Sequence, residues 1–471
     1  MTNYKILNIF LALILLVGTA YGAEIVYPKN ENVTINSPVT FFIGNEKLDK
    51  ELYINGEKVK IHPSGGFYHV VKLNTGENVF NIDNKTDIVK VFKIRRPVQA
   101  AEKKSTTAYK SFPEPAIYIT KNDNSPLRNA PDDNGTSRLQ NLPKDIPLKV
   151  IGNFGKFYKV ELGKDDFAWI DKNNIAPVNY DYTPAKVESY TYEEDNSKIV
   201  YTVKLNKKVP FVTSEKRVFD IIDEKYVPSA NGLDITLYNV DGYADFKYEL
   251  NFAQNNLLFG YKINFTDGNE FKVEIKKIPQ NESLKGLVVT LDPGHGGSEY
   301  GAIGCLGTKE KDVNLSIALK TKTLLEKAGA KVFITRTDDS DLGLYERVKF
   351  SQKNNSDIFI SIHSNALPDS LAETYRSGTS TYYFYPQAAP LARALITSMT
   401  KELETANDKV RQESFAVIRN HESASVLVEV GYMINPEDNS KLVNPEFQQK
   451  AALSILHGIE RYINELHDSE K

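Results

Sequence analysis

The chain has 471 residues, 41% of them hydrophobic and 25% charged, with a net charge of -3 and one cysteine. That length exceeds what one hydrophobic core organises, so several domains are expected, and the near-neutral balance excludes the basic footprint of a nucleic-acid-binding protein. The single Cys305 excludes an internal disulfide and a thiolate metal cluster.

The first 22 residues read as a signal peptide. Lys5 supplies positive charge, Ile6 to Val17 form a short apolar run, and Ala20-Tyr21-Gly22 offer small residues for cleavage before Ala23. The run is too short for a comfortable bilayer span, and no later stretch is apolar enough to cross one. The expectation is an exported protein, in the periplasm or the cell wall and extracellular space, with no stable membrane span after cleavage.

Residues 23–96 read as all-β. Runs such as Val39-Thr40-Phe41-Phe42-Ile43 and Tyr68-His69-Val70-Val71 are punctuated by Asn55-Gly56, the strongest two-residue hairpin signal. Regular strand spacing suggests a sandwich, and the segment resembles immunoglobulin-like modules of bacterial surface enzymes. His62 and His69 have no partners at metal-ligand spacing and read as strand or surface residues. Residues 97–116 read as a linker, because Ala, Lys, Ser, Thr and Pro replace the apolar alternation. Residues 117–177 resemble a bacterial SH3-type barrel, with Ala168 where that pattern has a Gly before Trp169. Trp169 could offer a platform to a glycan or peptide, but so small a barrel has little else to bury, which favours a core aromatic. Residues 183–278 alternate apolar and polar residues on both sides of the turn Thr266-Asp267-Gly268-Asn269, as half-buried strands do. They read as a β-sandwich targeting or spacer domain.

Residues 284–468 change character. Apolar strand-like runs alternate with helical patterns, Asp312 to Ala328 being the clearest, which predicts a doubly wound α/β domain. Phe415 to Ile418 reads as one of its strands. Four chemically capable residues fall at element ends. His295 follows Leu291-Asp292-Pro293-Gly294 on a loop after the first strand, and Glu310 heads the first helix. His363 closes Ile358-Phe359-Ile360-Ser361-Ile362, and Glu429 follows Val426-Leu427-Val428. Open α/β sheets place their chemistry beyond the carboxyl ends of strands.

In order, the domain carries Leu291-Asp292-Pro293-Gly294-His295-Gly296-Gly297, Glu310-Lys311-Asp312-Val313-Asn314-Leu315, Thr335-Arg336 with Arg347, Ser361-Ile362-His363-Ser364-Asn365-Ala366, and Leu427-Val428-Glu429-Val430-Gly431-Tyr432. This ordered set closely resembles the zinc-dependent N-acetylmuramoyl-L-alanine amidases of bacterial cell walls, amidase type 3. The resemblance implies one zinc ion per domain held by His295, Glu310 and His363, with Glu429 as the catalytic carboxylate and peptidoglycan as substrate. Two imidazoles and a carboxylate leave a tetrahedral metal one position for water, and a carboxylate off the metal can take that water's proton. The bond implied is the amide between N-acetylmuramic acid and L-alanine. A stem-peptide zinc carboxypeptidase and a non-catalytic wall-binding protein are the competing readings, and the intact set of four argues against the latter.

Asn365, Arg336 and Arg347 are candidate substrate-binding residues. The two arginines could instead form ion pairs with Asp338, Asp339 or Asp341. His421 reads as a loop residue near the site mouth, and His457 and His467 as surface residues; Cys305 lies between His295 and Glu310 in the chain, but the ligand set is complete without it. Some members of the family carry a plugging helix after the strand that ends in the second histidine. Leu367 to Ser377 is too short for one, so the domain from about Leu284 is expected to work alone, and any partner, such as a cell-wall or division protein, would act through the N-terminal β modules.

Overall fold

The structure is a computed structural model that describes residues 23–85, 87–98, 108–222, 225–242, 246–251, 257–280 and 283–468. The signal-peptide stretch, 1–22, lies outside the described residues, as does the middle of the expected linker. Among the described residues no helix is long and apolar enough to cross a membrane.

Residues 24–96 form a three-stranded and a five-stranded sheet around Phe42, Phe67, Ile82, Phe92 and Ile94. Asn55 and Gly56, at φ of 49° and 81°, close a hairpin between Tyr53–Ile54 and Glu57–Lys58, both in the left-handed region that such a turn demands. The linker is shorter than expected at its C-terminal end. Arg95 and Arg96 belong to strand Ile88–Arg96, and strand Lys110–Thr120 begins well before residue 117. That strand joins a seven-stranded antiparallel sheet running to Pro177, where it lies between Pro147–Phe154 and Ile175–Pro177. Ala168 and Ile170 are fully buried while Trp169 between them is half-exposed, flanked edge-on by Tyr109 and Phe154. Strand alternation sends Trp169 outward, which corrects its reading as a core aromatic.

Residues 187–276 form a four-stranded and a three-stranded sheet that meet through Phe211, Phe265 and Phe271. Their core is continuous with that of the seven-stranded sheet, from Leu127 and Val160 to Leu233 and Ile275.

The C-terminal domain is built on six strands. They are β1 (Val288–Pro293), β2 (Lys331–Ile334), β3 (Ile358–Asn365), β4 (Thr379–Tyr383), β5 (Asn407–Gln412) and β6 (Ala424–Tyr432), in the order β2-β1-β3-β6-β4-β5. The first four in that order are parallel, whereas β4 runs antiparallel to β6, so the sheet is mixed. Helices α1 (Glu310–Lys327), α3 (Ala389–Leu403) and α5 (Pro445–Asp468) cover one face, packing Ile317, Leu395 and Ile459 against Ile360 and Val428. Helix α2 (Leu344–Lys353) and the 3-10 turn Ala416–Ile418 lie over Phe359 and Leu427 on the other. That turn replaces the strand expected at Phe415 to Ile418. Helix α4 (Pro436–Leu442) follows β6.

The domain does not begin cleanly at Leu284. Phe259 is buried in its core and stacks on Tyr462, and Lys276 donates to the Ser356 carbonyl at 2.6 Å. A fragment cut at Leu284 loses both contacts, which corrects the boundary expected for an autonomous catalytic piece.

The segment after β3 carries a 3-10 helix, Asp369–Thr374, and the N-terminal module sits on it. Phe41 and Ile43 pack with Cys305, Leu367, Ala372, Tyr432 and Ile434. Asp369 accepts from the Tyr27 hydroxyl at 2.9 Å and from Thr40 Oγ1 at 2.6 Å, and Tyr68 donates to the Ala372 carbonyl at 2.5 Å. Asp369→Ala removes a charged acceptor from two donors and should weaken this docking by about 1.5–3 kcal/mol. Hydrogen exchange would register that loss as faster opening of residues 24–96, with the exchange of β1, β3 and β6 unchanged.

Candidate active site

Every candidate side chain of the site leaves the same end of the sheet. In the parallel register His363 on β3 stands beside Glu429 on β6, and one strand over, Pro293 of β1 stands beside Ile362. The chain then turns at Gly294 and places His295 at φ 62°, an unusual backbone for a residue other than glycine. A Cβ on Gly294 would collide with the His363 ring, and one on Gly301 with the carboxylate of Glu310 and the ring of His295, so both positions need glycine for the close approach.

His295, Glu310 and His363 offer ligand atoms that all lie within 4.8 Å of one another. His295 Nε2 is 3.2 Å from Glu310 Oε2, and His363 Nδ1 is 3.0 Å from Glu310 Oε1. The carboxylate also accepts from the amide of Ala302 at 2.8 Å, the amide of Ser364 at 3.1 Å and Asn314 Nδ2 at 3.1 Å. Burial alone would raise this carboxyl, but its hydrogen bonds with the two imidazoles outweigh it and hold Glu310 well below the usual carboxylate range. Glu429 is the reverse case: burial, then the neighbouring charge of Glu310, pushes its carboxyl well above the ordinary value. Its Oε2 is buried with no hydrogen-bond partner. An orphaned buried carboxylate oxygen beside a His/Glu/His set is what a cation-and-water site provides once its occupants are considered, so the residues present fit a divalent metal.

Arg336 and Arg347 lie beneath the loop that carries His295, and Arg347 also borders the cleft. Both are 3% exposed. Arg336 donates to the carbonyls of Pro293, Gly294, Lys311 and Asp338. Arg347 pairs with Asp292 at 2.7 Å and donates to the carbonyls of Pro293 and His295. They clamp the loop that carries His295, Arg347 from a place that also borders the cleft, and these bonds replace the ion pairs expected with Asp338, Asp339 and Asp341. Those aspartates act on the same loop differently: Asp339 accepts from the Gly297 amide and Asp341 from the Ser298 amide, each at 2.8 Å. Asn365 is half-buried at the end of β3, its carbonyl accepting from the Met433 amide.

Asp292 was missed as a positioning residue. It is fully buried, accepting from Thr335 Oγ1 at 2.6 Å, Ser361 Oγ at 2.8 Å and Arg347. A carboxylate closing an apolar strand was the available signal, since such a group requires a partner. Asp292→Ala would strand the Arg347 charge and should cost about 3–5 kcal/mol, measurable by chemical denaturation.

Three further histidines and the one thiol fall elsewhere. His421 stacks on Tyr261 at 4.6 Å between ring centroids and bonds its carbonyl at 2.7 Å, so it holds the preceding sheet to the catalytic domain rather than lining the site. Cys305 is buried against Asn439, and burial pushes its thiol up to about 12. His467 is buried rather than on the surface, and His457 bonds Glu402 at 2.9 Å. The cleft in front of the site has an apolar wall that sequence reasoning did not find, made by Leu342, Leu344, Phe415, Val417 and Leu427 opposite His295, His363 and Glu429.

The family model for N-acetylmuramoyl-L-alanine amidase matches residues 289–461. The germination-specific N-acetylmuramoyl-L-alanine amidase of Bacillus subtilis is 32% identical over 229 residues, spanning 45% of this chain and 92% of that protein. The chain belongs to the N-acetylmuramoyl-L-alanine amidase family. The amidase is also 32% identical to AmiC of Escherichia coli O6:H1 over 219 residues, 37% of this chain and 52% of that protein. Among solved structures, the catalytic domain of CwlV from Bacillus (Paenibacillus) polymyxa is 32% identical, with 38% of this chain and 98% of that one covered at a TM-score of 0.36. The chain is thus a hydrolase of the N-acetylmuramoyl-L-alanine amide in peptidoglycan.

Proposed function

We propose that His295, Glu310 and His363 hold one zinc ion and that Glu429 moves the proton in hydrolysis of the amide between the lactyl group of N-acetylmuramic acid and L-alanine. The observation that carries this reading is the convergence of three ligand atoms within 4.8 Å beside a fourth group, Glu429, that is bonded to none of them and has a buried oxygen without a partner. When bound, zinc supplies a Lewis acid that polarises the scissile carbonyl and brings the pKa of a water down to about 7. Glu310, fixed by three donors besides the imidazoles, aligns both histidines. Glu429 accepts the proton of the attacking water and returns it to the L-alanine nitrogen as the C–N bond breaks, so the products are a muramic acid carboxylate and a stem peptide with a free amino terminus. The apolar wall of Leu344, Phe415 and Leu427 borders the cleft, and substrate seated against it would displace water from the reacting groups.

In the same reading the unit around residues 117–177 is an SH3-like barrel, the 24–96 and 187–276 units are sandwich modules that address the enzyme to the wall, and the catalytic domain is of doubly wound type with two strands, β4 and β5, running against the rest. The protein is exported and acts in the periplasm or cell wall. Purified peptidoglycan digested with the full-length zinc-loaded protein should release intact stem peptides beginning with L-alanine, identified by mass spectrometry. Release of single amino acids from stem ends would favour the carboxypeptidase reading.

A further inference from the structure

Helix α2 and the Ala416–Ile418 turn form a ridge, and a second cleft lies behind it. Leu344 and Arg347 of α2 face the catalytic cleft, Tyr345 and Lys349 face the second, and Ala416 lines both. The second cleft opens where three modules meet. Arg138 comes from the seven-stranded sheet, Lys262 from the four-stranded sheet, and Lys349 and Arg419 from the catalytic domain. Only two carboxylates, Asp123 and Glu422, share the lining with these four cations. The arginines are held by neutral acceptors: Arg138 by Asn141 Oδ1 at 3.2 Å, and Arg419 by the carbonyl and hydroxyl of Ser414 at 2.8 and 3.1 Å. Among the described residues none of the four is ion-paired. One donor of the lining residues, Arg138 Nε, is buried with no hydrogen-bond partner. Burial, and then the like charge of Arg138, disfavour the protonated form of Arg419, which Tyr345 and Tyr385 partly offset, so an anion in the cleft would favour both guanidiniums.

We propose that this junction cleft is a subsite for the free carboxylates at the distal end of the substrate's stem peptide. The inference rests on the amidase reading and adds a specificity site to it. The ridge is one helix thick, about 10–12 Å with side chains. An extended peptide advances about 3.3 Å per residue, so roughly four or five residues reach from a scissile bond in the catalytic cleft across the ridge. Guanidinium and ammonium groups facing the arriving chain end bind carboxylate through charge-assisted hydrogen bonds, which are the strong ones.

The test uses the full-length zinc-loaded protein and two synthetic muramoyl substrates, one with a dipeptide stem and one with a pentapeptide stem ending in a free carboxylate. Lys262 and Lys349 are both exposed, so Lys262→Glu with Lys349→Glu reverses charge without disturbing the core. Arg138→Gln with Arg419→Gln is the second variant pair, checked for an unchanged unfolding midpoint. Each pair should lower kcat/KM for the long stem by about 10–100-fold, through KM, the scale of a lost charged hydrogen bond, while leaving the short stem as in the wild type. Amidating the long stem's terminal carboxylate should reproduce the loss in the wild type. Equal losses on both substrates, or no loss on either, would overturn the subsite. So would a loss seen only on walls that retain phosphate-bearing polymers, which would assign the cleft to phosphate. A wild-type enzyme that cleaves neither substrate would instead remove the amidase reading beneath it.

Discussion

Glu429→Gln should retain its full complement of zinc and its fold while losing at least about 10²-fold in turnover, the lower range for general acid–base catalysis. The substitution is nearly isosteric, and the side chain is not among the three groups that converge as ligands. What it removes is the ability to accept a proton at an oxygen that has no other hydrogen-bond partner. In the wild type, burial and then the Glu310 charge favour protonation of Glu429, and a nearby cation would act in the opposite direction. Zinc content by elemental analysis and stem-peptide release, measured on one preparation, give the two readouts. Near-normal release by a zinc-loaded variant would take Glu429 out of the mechanism.

Glu310→Gln should behave in the opposite way, with zinc lost first and activity as a consequence. Both oxygens of Glu310 already accept from the protein: Oε2 from the Ala302 amide, Oε1 from the Ser364 amide and Asn314. A glutamine has one oxygen to offer. Whichever way it turns, its NH2 group meets a backbone N–H, and the unsatisfied donor costs about 1–3 kcal/mol. The anionic ligand is lost as well, so metal affinity and the unfolding midpoint should fall together. His295→Ala and His363→Ala should lose zinc without the donor conflict. Retention of zinc by Glu310→Gln alongside its loss from Glu429→Gln would exchange the roles of the two carboxylates.

Much of this site could be read from the chain because it depends on strand ends. Continuous apolar runs mark β1, β3 and β6 as buried on both faces, and the residues that follow such runs must emerge at one edge of the sheet. That logic located His295, His363 and Glu429. It left two readings open for Arg336 and Arg347, because a charged residue in a motif looks the same whether it greets a substrate or braces a loop; only the carbonyls converging on each guanidinium reveal the bracing. Strand β5, Asn407–Gln412, went unseen since it is a polar edge strand with one valine and a neighbour on one side only. Phe415 to Ile418 looked like a strand from composition, yet its phenylalanine packs edge-on against Tyr382 at 5.2 Å and the backbone turns beneath it. The junction cleft was out of reach altogether, since its lining runs from Asp123 to Glu422 and exists only once three modules have met.

The seat of the N-terminal module on the segment after β3 also sets an order of events. Tyr27 and Asp369 are 342 positions apart, and Tyr68 and Ala372 are 304 apart. The module's own sheets close through neighbours such as Asn55-Gly56 and can form as soon as the chain reaches residue 96. Closing a loop of several hundred residues costs about 5 kcal/mol in chain entropy, so the docking bonds wait until β3 and β6 hold their partners in place. During synthesis the strip of Phe41, Ile43 and Tyr68 therefore stays bare while some 300 further residues are made, a window in which a second nascent chain could cover it instead.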